Sequence, residues 1–148
     1  MSAMKLRVSD ILKRKGGTVI TVDLGTTIID AVRKMRSNKI GALLVIGSGG
    51  RIEGIFSERD AMRALDEKGG STLGLKVDDY MTKNIIVAVP EDEIEYIMGI
   101  MTKNRIRHIP VMGKEGLAGM VSIGDLVKSK LEDMELENRL LSDYIAKG

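Results

Sequence analysis

The feature that most limits the possible folds is a pattern that occurs twice in the chain. Residues 20–46, ITVDLGTTIIDAVRKMRSNKIGALLVI, align without a gap with residues 86–112, IVAVPEDEIEYIMGIMTKNRIRHIPVM. After a turn that is one residue shorter in the second copy, GIFSERD at 54–60 aligns with GMVSIGD at 119–125. Self-similarity at a fixed period is the signature of a repeated structural unit. The sequence therefore predicts two copies of one small unit.

Each copy is predicted to run strand, helix, strand, strand, helix. Runs of β-branched and other apolar residues, bounded by turn residues, give the strands. The predicted strands are Val19–Val22, Ala42–Ile46 and Ile52–Phe56 in the first copy, and Ile85–Val89, Ile109–Met112 and Leu117–Val121 in the second. Apolar residues three and four positions apart give an amphipathic helix in each copy. They are Ile28, Ala31, Val32 and Met35, and then Ile94, Ile97, Met98 and Met101. We expect the glycines of GSGGR to permit a tight hairpin between two strands.

The copies also give the predicted domain boundaries. The lead-in segments VSDIL and VDDYM correspond, so the first repeat spans 8–68 and the second spans 77–130, with a Gly/Ser/Thr-containing linker at 69–76. Residues 131–148 are predicted to be a helical extension. Its apolar residues continue a four-three heptad pattern, with Asn138 at the one polar place: Val127, Leu131, Met134, Leu141 and Ile145. Two interpretations stay open, a helix folded back on its own repeat and a helix that contacts a second subunit.

Composition excludes several function classes. Apolar residues make up 43% of the chain and charged residues 30%, with a net charge of +2, which is typical of a globular protein rather than a polyanion binder. There is no cysteine, and His108 is the one histidine, so thiol catalysis and the common zinc sites are excluded. No apolar run approaches the about 20 residues of a membrane span. We expect a soluble cytoplasmic protein that binds neither nucleic acid nor membrane.

The motif Ser-x-x-Asp follows the last strand of each copy, at 57–60 and 122–125. Its local explanation is a capping box, in which the serine and the aspartate satisfy free amide groups at a helix start. Its functional explanation is ligand binding. Helix N-termini attract anions, and a carboxylate on the first turn can accept both hydroxyls of a ribose. Arg59, Arg107 and His108 are candidate phosphate partners, or else a solvated arginine pair and a hydrogen-bonded histidine at a strand start.

The ordered set of these motifs, present twice, strongly resembles a tandem pair of cystathionine-β-synthase-type domains, the CBS pair or Bateman module, of the stand-alone prokaryotic signal-transduction type. The resemblance covers residues 8 to about 130. It implies an α+β fold in which two β-α-β-β-α repeats pack about a pseudo-twofold axis, followed by the helical extension. It also implies two clefts for adenosine-containing ligands such as AMP, ADP, ATP, NAD or S-adenosylmethionine, with no cofactor or metal required.

The resemblance carries the ligand-binding residues over position by position. In the family the motif aspartate holds the ribose and the motif serine lies near the phosphate, while groups around the first two strands frame the adenine. The implied positions associated with the first repeat are Thr18, Val19, Ile40, Gly41, Ala42, Ser57, Arg59 and Asp60. Those associated with the second are Thr82, Ile85, Ile86, Ile106, Arg107, His108, Pro110, Ser122 and Asp125.

The two copies differ where charge matters. Gly41-Ala42 in the first copy stands where the second has Arg107-His108, and Arg59 stands opposite Gly124. We therefore expect two clefts of different affinity. The predicted function is nucleotide sensing, including energy sensing, through ligand-dependent contacts in a homodimer or with a separate effector protein. The alternative is a structural dimerisation or scaffold module with degenerate clefts. An enzyme is disfavoured because no nucleophile–base constellation and no phosphate-binding G-x-x-x-x-G-K-[ST] loop is present.

Overall fold

The computed structural model describes residues 5–147, which form five α-helices and five β-strands. The order helix, strand, strand, helix occurs twice along the chain, and a further helix and strand precede its first occurrence. The helices and strands are α1 (Val8–Lys15), β1 (Thr21–Asp23), α2 (Ile28–Ser37), β2 (Ala42–Ile46), β3 (Ile52–Ser57), α3 (Glu58–Lys68), α4 (Ile94–Asn104), β4 (His108–Gly113), β5 (Gly116–Ser122) and α5 (Ile123–Lys147). The predicted α+β class with two repeats and a C-terminal helix is confirmed. The packing about a pseudo-twofold axis and the predicted domain boundaries stay predictions.

The chain divides into two compact units, and each unit contains the lead-in segment that precedes the other repeat in the sequence. The repeat-1 unit is Val19–Ile85, and the repeat-2 unit combines the residues up to Thr18 with those from Ile86 onward. In the repeat-2 unit, the Val8 N–H of α1 donates to the Asp92 carbonyl at 2.9 Å. In the repeat-1 unit, the Val77 N–H of the second lead-in donates to the Thr26 carbonyl at 2.9 Å.

The repeat-1 unit contains a three-stranded sheet in the order β1-β2-β3. β1 pairs with β2 in parallel, and β2 pairs with β3 as an antiparallel hairpin. The loop between β2 and β3 turns through Gly49 and Gly50, whose φ angles of 72° and 78° require glycine. The predicted apolar stripe of α2 packs on this sheet, with Ile28, Ala31 and Met35 buried in one cluster with Phe56.

The repeat-2 unit contains only the hairpin of β4 and β5 as a sheet within the described residues. The predicted strand at 85–89 is wrong there, because only the single parallel bridge of Ala88 with Val111 forms. Ala88 donates to the Pro110 carbonyl and accepts from the Met112 N–H, but Pro110 has no N–H to extend the ladder toward Ile86. In the first repeat the corresponding residue, Leu44, donates to the Ile20 carbonyl at 3.3 Å. At the other end of this ladder the Leu24 N–H donates to the Ile46 carbonyl at 3.0 Å, and the corresponding Pro90 has no N–H either. Two prolines therefore shorten the ladder of the repeat-2 unit.

The core of the repeat-2 unit lies between α4, the hairpin, α1 and the first turns of α5. The predicted stripe of α4 is buried at Ile94, Ile97 and Met101. These side chains form one cluster with Val8 of α1 and Leu126 of α5. The lead-in helix α1 is therefore part of this core, although the 67 residues of Val19–Ile85 separate its segment from the rest of the unit.

Helix α5 continues without a break for 25 residues, well past the last side chain that it buries in the unit. Ser129 is the last buried residue of α5, and the apolar residues beyond it are exposed, by 55% at Leu131, 59% at Leu141 and 75% at Ile145. Two ion pairs hold the start of this segment, Lys130 with Glu95 and Arg14 with Glu132, both at 2.6 Å. The interpretation in which the extension folds back on its own repeat is not supported, because its apolar side chains remain uncovered. Across the described part of the chain, no helix is long and apolar enough to cross a membrane.

Candidate ligand-binding motifs

In the repeat-1 unit, the Ser-x-x-Asp motif closes β3 and opens α3. Ser57 is the N-cap, and the Ser57 N–H donates to the Asp60 Oδ2 at 2.8 Å, as the capping-box explanation predicts. The Ser57 hydroxyl also donates to Oδ2, at 3.2 Å. Asp60 is buried, with 8% of its surface exposed, and its second oxygen, Oδ1, lies 3.4 Å from Arg63 Nη2. The carboxylate is thus fixed in place before any ligand arrives.

In the repeat-2 unit, the aspartate of the corresponding cap pairs with a lysine instead of an arginine. The Ser122 N–H donates to the Asp125 Oδ2 at 2.8 Å, and the Asp125 N–H donates to the Ser122 Oγ at 3.1 Å. Lys15, at the end of α1, donates to the same Oδ2 at 2.7 Å and to the Met120 carbonyl at 2.9 Å. Burial alone would raise the pKa of the Asp125 carboxyl, but the hydrogen bonds from Lys15 and Ser122 outweigh it and hold that pKa below its ordinary value.

Each motif lies beside the start of the strand that the sequence analysis singled out. The Glu58 N–H of α3 donates to the Gly41 carbonyl at 3.0 Å, and Ala42 pairs with Ser57 across the hairpin. In the second copy the Ile123 N–H donates to the Arg107 carbonyl at 2.8 Å, and His108 pairs with Ser122. The structure therefore brings the strand start and the Ser-x-x-Asp motif together in both units by the same backbone contact.

Three of the predicted ligand-binding residues lie in a different unit from the one predicted for them. Thr18, predicted with the first repeat, belongs to the repeat-2 unit, whereas Thr82 and Ile85, predicted with the second repeat, belong to the repeat-1 unit. Thr82 exchanges two backbone hydrogen bonds with Ile55 of β3, at 2.8 and 3.0 Å. The other residues lie in the units predicted for them: Val19, Ile40, Gly41, Ala42, Ser57, Arg59 and Asp60 in the first, and Ile86, Ile106, Arg107, His108, Pro110, Ser122 and Asp125 in the second.

The three candidate phosphate partners lie close to the motifs. Arg59 is exposed on the first turn of α3, within the motif itself. Arg107 is exposed and His108 is half-buried at the start of β4. Their positions permit a role at an anionic group, and their assignment as phosphate ligands stays a prediction.

Two cations next to the motifs were missed by sequence reasoning. Lys15 belongs to the run Lys13-Arg14-Lys15, but 110 positions separate it from Asp125, and no local pattern connects the two. Arg63 donates to the Tyr80 carbonyl at 2.9 Å, and its guanidinium lies 5.0 Å from the Tyr80 ring centre. Both cations depend on the lead-in segments, since Lys15 and Tyr80 both belong to them. The correspondence of VSDIL with VDDYM was the one available signal.

An open groove of about 480 Å³ in the repeat-1 unit borders the first motif. Ile40, Gly41 and Glu58 are among the residues that line it, and Arg36 and Lys39 supply positive charge. Between residues 5 and 147, no group of three histidine, aspartate or glutamate side chains is placed to hold a metal ion. The groups that the two motifs present are carboxylates, hydroxyls and backbone groups, which bind ligands by hydrogen bonding.

Comparison with known proteins identifies the class. The family model of the CBS domain matches residues 8–67 and 77–132, which include both Ser-x-x-Asp motifs. The chain therefore belongs to the CBS-domain family, and the resemblance to a tandem CBS pair is confirmed. CBS pairs are regulatory modules.

Similar proteins come from plants and bacteria. The mitochondrial CBS domain-containing protein CBSX3 of Arabidopsis thaliana is 38% identical over 149 aligned residues, which cover 95% of this chain and 72% of that protein. The crystal structure of a CBS-domain containing protein from Agrobacterium tumefaciens is also 38% identical, with a TM-score of 0.83, and the match covers 88% of this chain and 97% of that one. A CBS domain pair solved with 5-methylthioadenosine and S-adenosyl-L-methionine has a TM-score of 0.74 over 84% of this chain and 94% of its own. At 23% identity, that likeness concerns the fold alone.

Proposed function

We propose that this chain is a regulatory module that binds adenosine-containing ligands at its two Ser-x-x-Asp motifs. The observation that carries the proposal is the repeated arrangement, in which a fixed carboxylate on a first helical turn lies beside the start of a strand. Asp60 and Asp125 are each oriented by a serine N–H at 2.8 Å. A carboxylate held in this way accepts ribose hydroxyls without first losing its own freedom of movement.

The ligand class follows from the pairing of sugar and anion recognition. Each aspartate supplies acceptors for two hydroxyls, while the amides at the helix start and the cations Arg59, Arg107 and His108 suit a phosphate. A neighbouring fold solved with two adenosyl ligands supports the same class. AMP, ADP, ATP, NAD and S-adenosylmethionine are the candidate ligands, and the two motifs bind them with different affinity because their charged neighbours differ.

Ligand binding acts on the contacts of the module with a second copy or with a separate effector protein. A ligand shifts such an equilibrium only by its difference in affinity for two states. The apolar groove between α2 and α3 supports a contact of this kind, because Met62, Leu65 and Leu73 line it and are all more than half exposed. This same surface favours the second candidate function, a dimerisation module whose motifs act only as helix caps.

Two measurements on the purified protein separate these candidates. Mass spectrometry of small molecules released on denaturation is expected to detect an adenosine-containing compound. Titration calorimetry with AMP, ATP, NAD and S-adenosylmethionine is expected to detect saturable binding of at least one of them. A protein that releases none and binds none, while remaining dimeric, is a structural module and contradicts the proposal.

A further inference from the structure

The first inference concerns the seam of α5, which we define as Val127, Leu131, Met134, Asn138, Leu141 and Ile145. Successive members lie four and three residues apart, the spacing of positions d and a in a heptad, so they form one stripe along the helix. All five apolar members are at least 40% exposed. An uncovered stripe of this length on a continuous helix fits one occupant, another helix with the same spacing.

We infer that α5 pairs with α5 of a second copy of this chain as a parallel, in-register, two-stranded coiled coil. Asn138 determines the orientation. In a parallel pair an a position faces its own copy, so the two Asn138 side chains hydrogen-bond to each other, as a single polar a residue does when it specifies a dimer. In an antiparallel pair an a position faces a d position. The three d positions of the seam are Val127, Met134 and Leu141, and each would leave the Asn138 amide without a partner.

The charges beside the seam favour the same orientation. In a parallel pair a g position faces the e position five residues later on the other helix, which places Lys130 opposite Glu135 of the partner subunit, and the reverse. Lys130 already pairs with Glu95 of its own chain at 2.6 Å, so Glu135 of the partner subunit would share this lysine with Glu95. The next such pair, Glu137 with Ser142 of the partner subunit, contains one charge only, so it neither favours nor opposes the parallel orientation. No like charges oppose each other across these two positions.

The natural absence of cysteine allows a direct test on the full chain. Ile145→Cys at the end of the seam is expected to form an interchain disulfide on mild oxidation, because in-register helices bring its two copies to bonding distance. Leu136→Cys is the matched control. Leu136 is 55% exposed on the same helix, but it lies outside the seam and is expected to remain reduced. An antiparallel pair would place residue 145 near residue 127 of the other copy, roughly 27 Å along the helix from its own copy.

Four results overturn the inference. The first is an Ile145→Cys protein that stays reduced while it is dimeric by sedimentation. The second is equal crosslinking of Ile145→Cys and Leu136→Cys. The third is a disulfide that forms only when Val127→Cys and Ile145→Cys proteins are mixed, which shows antiparallel pairing. A monomeric wild-type chain at the concentration of the assay also contradicts it.

The second inference concerns Lys15 and rests on the proposed function. Lys15 bonds the same oxygen of Asp125 that the Ser122 N–H bonds, so a ribose that engages both carboxylate oxygens must compete with it. The Lys15 side chain is 39% exposed at the end of α1 and ends in a flexible cation, which can therefore turn to a new partner. The geometry points to Lys15 as the residue that selects phosphate-bearing over uncharged adenosyl ligands at this motif.

The physical reason is an exchange of anions. A ligand with a phosphate gives Lys15 a new anionic partner when ribose hydroxyls occupy Asp125, so the cation keeps a charge-assisted hydrogen bond. An uncharged nucleoside offers no such partner, and the ion pair of Lys15 with Asp125 then opposes its binding. In the repeat-1 unit Arg63 contacts Asp60 only at 3.4 Å, against 2.7 Å between Lys15 and Asp125, so this exchange is expected at Asp125 alone.

The test compares AMP with adenosine by titration calorimetry, in an Asp60→Ala background that isolates the second motif. Lys15→Met keeps the aliphatic stem and removes the charge. We expect AMP to bind about tenfold more weakly to Lys15→Met, and adenosine to bind equally or more tightly. Lys13→Met, an exposed lysine of the same helix, is the control and is expected to leave both affinities unchanged.

The outcomes separate this inference from the proposed function. An unchanged ratio of AMP to adenosine affinity in a folded Lys15→Met protein overturns the role of Lys15 and leaves the proposed function standing. A parent protein without the Asp60 substitution that binds neither AMP nor any other adenosyl ligand overturns both. Thermal unfolding of each variant verifies that the compared proteins are folded.

Discussion

The two units have the same helix cap but surround it differently. Asp60 and Asp125 each accept a serine N–H at 2.8 Å, so the duplicated motif is duplicated in geometry as well. Asp60 is more deeply buried, and its cation comes from the same helix at 3.4 Å, whereas the cation of Asp125 comes from α1 at 2.7 Å. Duplication has thus preserved the hydrogen bonds that start a helix, while the charges that would meet a ligand have diverged.

The sheets differ in the same manner. The residue at the middle of the second strand is Leu44 in one unit and Pro110 in the other, and only the leucine has an N–H for the parallel neighbour. The other end of the ladder needs the N–H of Leu24, which Pro90 lacks, so β1 is a strand in the repeat-1 unit while the corresponding segment of the repeat-2 unit forms a single bridge. The predictions below test how far the two units are equivalent.

The largest expected difference between the units is in the stability that each loses when a core side chain is truncated. Phe56 in one unit corresponds to Val121 in the other, and both side chains are fully buried. Phe56→Ala is expected to lower the free energy of unfolding by about 3–5 kcal/mol, because a large cavity remains. Val121→Ala removes less buried surface and is expected to cost about 1–3 kcal/mol. Chemical denaturation measures both, and equal losses would show that the first core collapses around the missing ring.

A smaller difference in stability is expected when the corresponding glycines Gly54 and Gly119, three residues before each motif serine, are replaced by alanine. A Cβ added at Gly54 would lie 2.9 Å from the Thr82 carbonyl oxygen and 2.6 Å from Met81 Sδ, and the carbonyl belongs to a fixed backbone. A Cβ at Gly119 would lie 2.6 Å from the end of the Leu12 side chain, which can rotate away. Gly54→Ala is expected to cost about 1–3 kcal/mol of stability, and Gly119→Ala less.

Denaturant midpoints of the two alanine variants measured side by side test this comparison. The reverse order would mean that the lead-in at residues 81 and 82 adapts more readily than α1. In that case the backbone bonds of Thr82 with Ile55 are not the rigid element that the geometry indicates.

The smallest effect concerns the charge of Asp125. Its pKa is lowered in the folded protein, so the ionised form stabilises the fold above the ordinary pKa of 3.8, and this contribution is lost as the pH falls through the lowered value. Asp125→Asn is expected to lower stability at pH 7 by at most about 1 kcal/mol, since the ion pair is partly exposed. The difference between the variant and the wild type should shrink as the pH falls below 3.8 and through the lowered pKa. If the stability difference between Asp125→Asn and the wild type does not change with pH, it arises from packing and not from the charge of Asp125.

The repeated pattern predicted most of the fold because apolar spacing and turn residues act locally. The helices α2 and α4, the hairpin strands and the cap at Ser57 all follow from residues within a few positions of one another. The missing strand at 85–89 was not predicted, because its causes are the absent N–H groups of Pro90 and Pro110, and their effect appears only when the two segments pair. Strand pairing between distant segments is decided by both partners.

For the candidate site as well, the residues of a local motif could be predicted and the contacts between distant segments could not. The aspartates and serines stand in a local motif, so their positions could be read from the sequence. Lys15 could not be assigned to Asp125, because the contact depends on α1 joining the repeat-2 unit across 110 positions. The same exchange of lead-in segments moved Thr18, Thr82 and Ile85 to units other than those predicted.

The central claim is that both motifs hold an adenosyl ligand and do so unequally. Titration calorimetry of the wild type, Asp60→Ala and Asp125→Ala with the tightest-binding nucleotide tests it most directly. We expect the wild type to show two sites of different affinity. In each variant the affinity of one site is expected to fall by about 10- to 150-fold, because a charged hydrogen bond to the ribose is removed. Binding that is unchanged in both folded variants would contradict the account and leave the two aspartates as helix caps only.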